Sequence, residues 1–206
     1  MDADELLKRY CAGERNFTQV SLHLVNLSEA CLAGISLDRA NLANATLSHA
    51  NLSGANLTQA NLTAASLWRT NLSRAHLIWA NLKAANMIRA NLTKADLHKG
   101  NLAKADLRLA DLRDADLSSA NLAGADLRYA NLSGANLGRA DLSRANLTGA
   151  NLSKADLSHT NLAKAIFFKT DLSYVDLTEI DLTQVHLENC FLNGTTLPEL
   201  SLMQLR

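Results

Sequence analysis

Residues 50–69 read ANLSGANLTQANLTAASLWR, which is four successive five-residue units with leucine at the third position of each. The same spacing continues without insertion or deletion from Phe17 to Leu202, over 38 consecutive positions. Leucine fills all but three of them, and the exceptions are the large apolar residues Phe17, Met87 and Phe167. A strict internal period of this kind predicts a repeat architecture, so the fold depends on what a period of five requires.

A period of five fits neither an α-helix nor a flat strand. Alanine and leucine favour helix, but a helix turns about 100° per residue, so leucines five apart would form no stripe. In a strand, side chains alternate between the two faces, so successive leucines would point to opposite sides. The period therefore predicts a structure that turns once in every unit.

The other positions of the unit indicate how it turns. The residue two before the leucine is alanine in 24 of the 38 units, and the residue just before it is Asn or Asp in 27. The two residues after the leucine are variable and mostly polar. We expect a short extended segment with alanine and leucine pointing inward and Asn or Asp outward, followed by a two-residue corner. Asn and Asp suit this place because their side chains bond to nearby turn backbone.

These units match the motif A(D/N)LXX, as in Ala-Asn-Leu-Ser-Gly at 50–54 and Ala-Asp-Leu-Arg-Tyr at 125–129. Over about nine tenths of its length the chain resembles pentapeptide repeat proteins. The resemblance implies an all-β solenoid, a right-handed quadrilateral β-helix (the repeated five-residue fold) with four units per coil. It implies about nine and a half coils and a rod roughly 45 Å long. Leucine-rich repeats need a period of about 20–29 residues, and coiled coils need about 3.5.

Both ends of the chain depart from the pattern, as expected because solenoids must cap their open sheet edges. Residues 1–14 are predicted to form an N-terminal capping α-helix, with Asp2 or Asp4 as N-cap and Gly13 just past its end. Residues 15–206 are predicted to form the β-helix, including a loosened C-terminal cap region. The N-terminal segment is also similar to that of many cyanobacterial pentapeptide proteins, among them a heterocyst regulator.

The repeat loosens after about residue 165. Bulkier residues replace alanine in four successive units, at Val175, Ile180, Val185 and Cys190. Further apolar residues lie near the terminus, at Phe191, Leu200, Met203 and Leu205. Two interpretations remain open: an imperfect cap on a monomer, or a C-terminal-mediated homodimer in which unpaired strands meet a symmetric partner.

The charge balance bears on function. Twenty basic and 20 acidic residues give a formal net charge of zero. Some pentapeptide repeat proteins mimic DNA and bind type II topoisomerases through a strongly acidic surface, and a neutral rod fits this poorly because duplex DNA carries one charge per ~1.7 Å. A nucleic-acid binder should be basic.

The acidic N-terminus does not resemble a signal peptide and no segment has the ~20 apolar residues of a membrane span, so we expect a cytoplasmic protein that contacts neither membrane nor nucleic acid.

The sequence offers no set of residues for catalysis. The six histidines are scattered, no Cys/His set has metal-ligand spacing, and the repeat leaves no loop to build a concave site. We therefore expect no enzyme, no metal site and no cofactor.

Cys11 and Cys31 are one 20-residue coil apart, so a disulfide could tether the cap to the first coils; two free thiols is the default expectation, because cytosolic disulfides are uncommon.

Binding residues are expected where the two corner positions break the polar rule. A 20-residue coil places Trp68, Ile88, Arg108 and Arg128 in one column, with Arg69, Arg89, Leu109 and Tyr129 beside it. Ile78 and Trp79 should lie on the opposite face. The face with these two columns is predicted to be apolar at one end and basic along its length. Aromatic residues and arginine are enriched at protein interfaces. The sequence therefore predicts a non-enzymatic protein–protein interaction module, a regulator or scaffold whose partner is an unknown protein; the alternative is a DNA-mimic topoisomerase-binding protein.

Overall fold

The computed structural model describes residues 1–198, and it consists of one short α-helix, α1 (Ala3–Cys11), followed by a β-helix. Parallel bridges join residues that are 20 apart in sequence, from Asn16 with Ser36 to Asp176 with Thr196. Each bridge is one residue wide, and no longer strand forms within residues 1–198, because two of every five positions are in turns. One coil of the β-helix therefore contains 20 residues, as the family resemblance implies.

Each unit pairs its backbone with the neighbouring coils. The amide of Leu52 donates to the carbonyl of Asn71 at 2.7 Å, and the amide of Asn71 donates to the carbonyl of Ala50 at 2.9 Å. The amide of Ala55 donates back to the carbonyl of Leu52 at 3.0 Å and closes the corner. The ladder thus uses the extended residues, and the corner satisfies the carbonyl of the leucine.

The corners have the conformation of type II turns, in which the second central residue has positive φ. This φ is +61° at His49, +55° at Arg69 and +60° at Tyr129. The Asn or Asp of the unit stabilises the corner from outside, as in Asn51, whose Oδ1 accepts a hydrogen bond from the amide of Ser53 at 3.1 Å. This contact is the local role that the sequence predicts for Asn and Asp.

Two opposite sides of the rod differ in the side chains that they expose. The aromatic face is the side whose bridge residues follow each other in steps of 20 from Asn26 to His186. It includes the two corner residues of each of these units, which lie two and three positions after the bridge residue. The acidic face is the side whose bridge residues run from Asn16 to Thr196, with its own corner residues. The chain reaches these two faces two units apart in every coil, so they lie on opposite sides of the rod.

The core is a column of leucines and alanines rather than a globule. From Leu32 to Leu152, nearly every inward leucine and alanine is 0 or 1 % exposed. Threonine takes the place of alanine at Thr70, Thr160 and Thr170, and each hydroxyl donates to a leucine carbonyl at 2.7–2.8 Å. Buried hydroxyls are tolerated here because each has a hydrogen-bond partner.

Helix α1 covers the first coil. Asp2 is its N-cap and accepts a hydrogen bond from the amide of Glu5 at 2.9 Å, while Gly13 has a φ of +97° just beyond the last turn. Leu6 is fully buried, and the Tyr10 hydroxyl donates to the carbonyl of Ala33 at 2.7 Å. The helix therefore closes the N-terminal end of the hydrophobic column.

The ladder is interrupted near the other end. Two parallel bridges that the register would place here are absent, those of Asp156 with Asp176 and of Asn161 with Asp181, together with their backbone hydrogen bonds. Pairing resumes with the bridge of Ile166 and His186 and continues on the next side, where the amide of Leu172 donates to the carbonyl of Phe191 at 2.9 Å. The opening borders a cleft of about 280 Å³ that includes Leu157 and Ile180.

The interruption coincides with bulkier inward residues. Val175 and Ile180 are buried above Ala155 and Thr160 of the preceding coil. The larger side chains widen one coil relative to the next, and close-packed interiors do not absorb such a mismatch without a backbone shift. Of the residues on which the homodimer prediction rests, Phe191 is exposed, and Leu200, Met203 and Leu205 lie outside the described residues. The homodimer stays a prediction.

Candidate binding face

Exposed apolar side chains are concentrated on the aromatic face. Ten large hydrophobic residues are exposed in the part of the chain that the structure describes, and five of them lie on this one face of four. These five are Trp68, Leu109, Tyr129, Ile166 and Phe168. Scattered apolar residues on a surface are ordinary, whereas their collection on one flat wall indicates a contact surface.

Trp68 forms the N-terminal end of this patch and is held by its neighbours. The His49 ring meets the indole edge-on, with ring centroids 4.6 Å apart and an interplanar angle of 86°. The Arg69 guanidinium lies 5.0 Å from the indole centroid, within the range of a cation–π contact. About a third of Trp68 is exposed, so a fixed aromatic surface is available to a partner.

Arg108 and Arg128 each form a bidentate ion pair within their own unit. Arg108 donates to the two carboxylate oxygens of Asp106 at 2.8 and 2.7 Å, and Arg128 binds Asp126 in the same way. A longer contact of 3.7 Å links Arg108 to Asp126 across the coils. The positive charge that the sequence predicts along this face is therefore largely compensated in these two coils.

The ion pairs shift the pKa of Arg108 and of Asp126. The hydrogen bonds to Asp106 raise the pKa of Arg108 above its ordinary value. Burial raises the pKa of the Asp126 carboxyl, but the hydrogen bonds from Arg128 outweigh it, so that the net pKa is lowered. The bidentate hydrogen bonds fix the two guanidinium planes against the wall.

A shallow recess lies in the middle of the aromatic face. Its volume is about 400 Å³, and it is lined by Ile88, Arg89, Arg108, Leu109, Arg128 and Tyr129. The Tyr129 ring leans away from Leu109 and over Gly149, where an added Cβ would lie 2.6 Å from Tyr129 Cδ1. The recess therefore stays open above Leu109, which is 47 % exposed.

All seven predicted binding residues lie on one side of the rod, as the bridge register requires. Five of them line the recess, and Trp68 and Arg69 lie beyond its N-terminal edge. Leu109 lies in the predicted columns but is not one of the seven, and Ile166 and Phe168 were not predicted. The rule that singled out Trp68 would also have found Phe168, a corner residue 100 positions and five coils further along the same face. Ile166 occupies a bridge position that is usually Asn or Asp.

Cys11 and Cys31 are both exposed and carry free thiols in this structure. The disulfide between them is not formed, and the cap is tethered instead by the burial of Leu6 and the hydrogen bond from Tyr10. The pairing stays a hypothesis for an oxidised form of the protein. Cys190 is half-buried, and burial raises the pKa of its thiol.

Metal-binding clusters and membrane-spanning helices are absent from the described residues. Within residues 1–198, no three His, Cys, Asp or Glu side chains are grouped so that they could hold a metal ion. No helix in the same range is long and apolar enough to cross a bilayer.

Comparison with known proteins places the chain in a family. It matches the family described as pentapeptide repeats in eight overlapping copies, at residues 21–59, 40–77, 60–99, 70–108, 90–128, 105–144, 125–163 and 145–184. No curated protein matches the chain.

Solved structures give the same result. The crystal structure of HetL, a pentapeptide repeat protein involved in heterocyst differentiation regulation from the cyanobacterium Nostoc sp. strain PCC 7120, is 36 % identical. The match covers 97 % of this chain and 94 % of HetL, with a TM-score of 0.63. QnrB1, a plasmid-mediated fluoroquinolone resistance protein, is 17 % identical over 92 % of this chain and 93 % of its own, with a TM-score of 0.64, and supports the fold alone. The chain therefore belongs to the pentapeptide repeat family, whose members form right-handed quadrilateral β-helices.

Proposed function

We propose that this protein is a non-enzymatic interaction module that binds a partner protein through the aromatic face, and that it acts as a cytoplasmic regulator or scaffold. The observation that carries the proposal is the collection of five of ten exposed large apolar side chains on one of four walls. Tryptophan, tyrosine and arginine dominate the binding energy of protein interfaces, and Trp68, Tyr129 and Arg89 are of these types.

The architecture supports this role. The aromatic face is part of a rod of about nine and a half coils by repeat count, and its corners are held by hydrogen bonds from both sides. A surface of this kind loses little conformational entropy on binding because its side chains stand on a rigid ladder. The recess is open and shallow, which suits a protein surface better than an enclosed small substrate.

The relatives support the regulatory part of the proposal. HetL is 36 % identical over nearly the whole chain and is involved in heterocyst differentiation regulation. A regulator that works by binding needs a surface and no catalytic group. The proposal therefore assigns this chain a partner protein rather than a substrate.

The test compares matched substitutions on opposite faces. A tagged rod is used to capture proteins from a lysate of the native host, with Trp68→Ala/Arg89→Ala as the test variant and Trp79→Ala/Lys99→Ala as the control. The control likewise removes one tryptophan and one cation, but from the acidic face, where Lys99 Nζ lies 4.9 Å from the Trp79 ring. We expect recovery of the partner, measured by quantitative mass spectrometry, to fall about tenfold or more in the test variant only, because loss of one hot-spot side chain costs at least ~1–2 kcal/mol. Equal recovery with both variants would argue against the proposal.

The alternative, a DNA mimic that binds a type II topoisomerase, receives less support. Within residues 1–198 the acidic face carries six Asp and Glu and three Lys and Arg, which is a net charge of only −3. Several of these carboxylates already accept hydrogen bonds from the backbone, as Asp116 does from Ser118 at 2.9 Å. In a gyrase supercoiling assay we expect neither inhibition nor protection by this protein, and a clear effect at equimolar concentration would favour the alternative.

A further inference from the structure

We propose that the recess of the aromatic face binds a partner segment in which a large apolar side chain stands next to a carboxylate. The inference rests on the proposed function, since it assumes that this face binds a protein, and it adds the chemistry of the segment that is bound. The shape of the recess and the charges around it both point to such a segment.

The floor of the recess is apolar and fixed. Ile88 and the exposed Leu109 stand on adjacent coils, and the amide of Arg89 donates to the carbonyl of Arg108 at 3.0 Å between them. The Tyr129 ring leans over Gly149 and closes one end without covering Leu109. A volume of about 400 Å³ accepts one large side chain together with part of its backbone.

Of the three arginines that line the recess, only Arg89 is available to a partner. Arg108 and Arg128 are each held by both carboxylate oxygens of an aspartate in their own unit. Arg89 is exposed and forms no ion pair with any residue between 1 and 198. A carboxylate on the partner would pair with Arg89, whereas an ammonium or guanidinium group would be repelled by it.

Two other occupants fit less well. A second copy of this chain that docked symmetrically through the recess would bring two Arg89 side chains together, which is unfavourable. A nucleic acid requires a strongly basic track, but the aromatic face has five Lys and Arg against four Asp and Glu, a net charge of +1. An apolar and acidic protein segment satisfies both the floor and the unpaired cation.

The isoleucines of this chain make the inference directly measurable. There are only five: Ile88 in the recess, Ile166 further along the same face, Ile78 on the acidic face, and the buried Ile35 and Ile180. Isoleucine δ1-methyl labelling of the full chain therefore reports on the recess with internal controls in one NMR spectrum. The probes are N-acetyl-Phe-Asp-amide, its Phe-Asn counterpart that lacks the charge, and an Ala-Asp counterpart that lacks the ring.

We expect the Phe-Asp probe to shift the Ile88 methyl most, and to bind about two- to fivefold more tightly than the Phe-Asn probe, the range of an exposed ion pair. The Ala-Asp probe should shift Ile88 little. Arg89→Gln should make the Asp and Asn probes equal, and the control Arg139→Gln on the acidic face should leave the difference unchanged.

Several results would overturn the inference. Shifts centred on Ile78, an Asp preference that survives Arg89→Gln, or stronger shifts of Ile88 with single-stranded oligothymidine than with the Phe-Asp probe would each do so. The two proposals fail separately. If the aromatic-face variant loses its partner in the capture experiment while the probes show no dependence on Arg89, the inference is wrong and the proposed function stands.

Discussion

Replacing Leu97 by alanine should destabilise the rod much more than the same replacement at Leu187. Leu97 is fully buried between Leu77 and Leu117, which are also fully buried. Its removal deletes three carbons, at about 0.8 kcal/mol each, and leaves a cavity, for a total of roughly 3–4 kcal/mol. The cavity cannot collapse easily, because the amide of Leu97 is fixed to the carbonyl of Asp116 at 2.7 Å.

Leu187 lies in the coil where the ladder is interrupted. It is 9 % exposed, and the two units before it in its coil, at Asp176 and Asp181, form no bridge with the preceding coil. Its surroundings can therefore shift into the space left by the mutation, and we expect a cost nearer ~1–2 kcal/mol. Since a coil contacts only its neighbours, the destabilisation should also be confined to the coils next to Leu187.

Urea unfolding followed by circular dichroism measures both costs from the shift of the midpoint. Ser53→Ala, at an outward corner, is the control and should stay within about 0.5 kcal/mol of the parent. Equal losses for Leu97→Ala and Leu187→Ala would show that the coil of Leu187 is packed as tightly as the middle of the rod. A loss below ~1 kcal/mol for Leu97→Ala would contradict a closed leucine column.

The described contacts support three further predictions. Amide hydrogen exchange followed by mass spectrometry should be faster between residues 157 and 186 than in the middle coils, because several amides of this segment, among them those of Leu157, Leu162 and Asp181, have no backbone acceptor; equal protection would refute the interruption. The hydrogen bond from Arg113 holds the pKa of Asp111 below its ordinary value. This carboxylate therefore contributes stability above the pKa of an unfolded aspartate, and the contribution is lost as the pH falls through the lower folded value. The urea midpoint should be flat between about pH 5 and 8 and fall below about pH 4, and it should fall less in Asp111→Asn. Alkylation without reduction should modify Cys11 and Cys31 quickly and Cys190 slowly, because burial raises the pKa of the Cys190 thiol; two unmodified cysteines would instead indicate a disulfide.

The regular part of the fold could be predicted from the sequence because each rule is local. Leu52 and Ala50 point inward and Asn51 caps its own corner within one five-residue unit. The cap could be predicted for the same reason, since Asp2 bonds to Glu5 three residues away. Once the coil length is known, the register then places Trp68 and Ile88 on one face.

The neutralised arginines were missed although their signal is also local. In all three Asp-Leu-Arg units, which begin at Asp106, Asp111 and Asp126, the arginine returns to the aspartate two residues before it. Arg89 follows Met87 and Ile88 in a unit whose outward residue is Asn, so it has no such partner. Charge counted along a column therefore overstated how basic the aromatic face is.

The interruption of the ladder could not be predicted in detail, because it depends on how two coils fit together. The sequence shows that Val175 and Ile180 replace alanine, and this predicts a change in cross-section. Whether the coil tilts, and on which side it stays attached, depends on packing against Ala155 and Thr160 one coil away. Non-local matching of this kind has no signature within a single unit.

The coil of 20 residues also limits how such a protein can change its length. Insertion of a single five-residue unit, for example after Ala90, would preserve the leucine rhythm and the core. It would nevertheless turn every later residue by a quarter of a revolution, so that Leu109 and Tyr129 would leave the wall that carries Trp68 and Ile88. Only insertions or deletions of whole coils leave the faces aligned, so a lineage that keeps this surface should vary in length in steps of 20 residues.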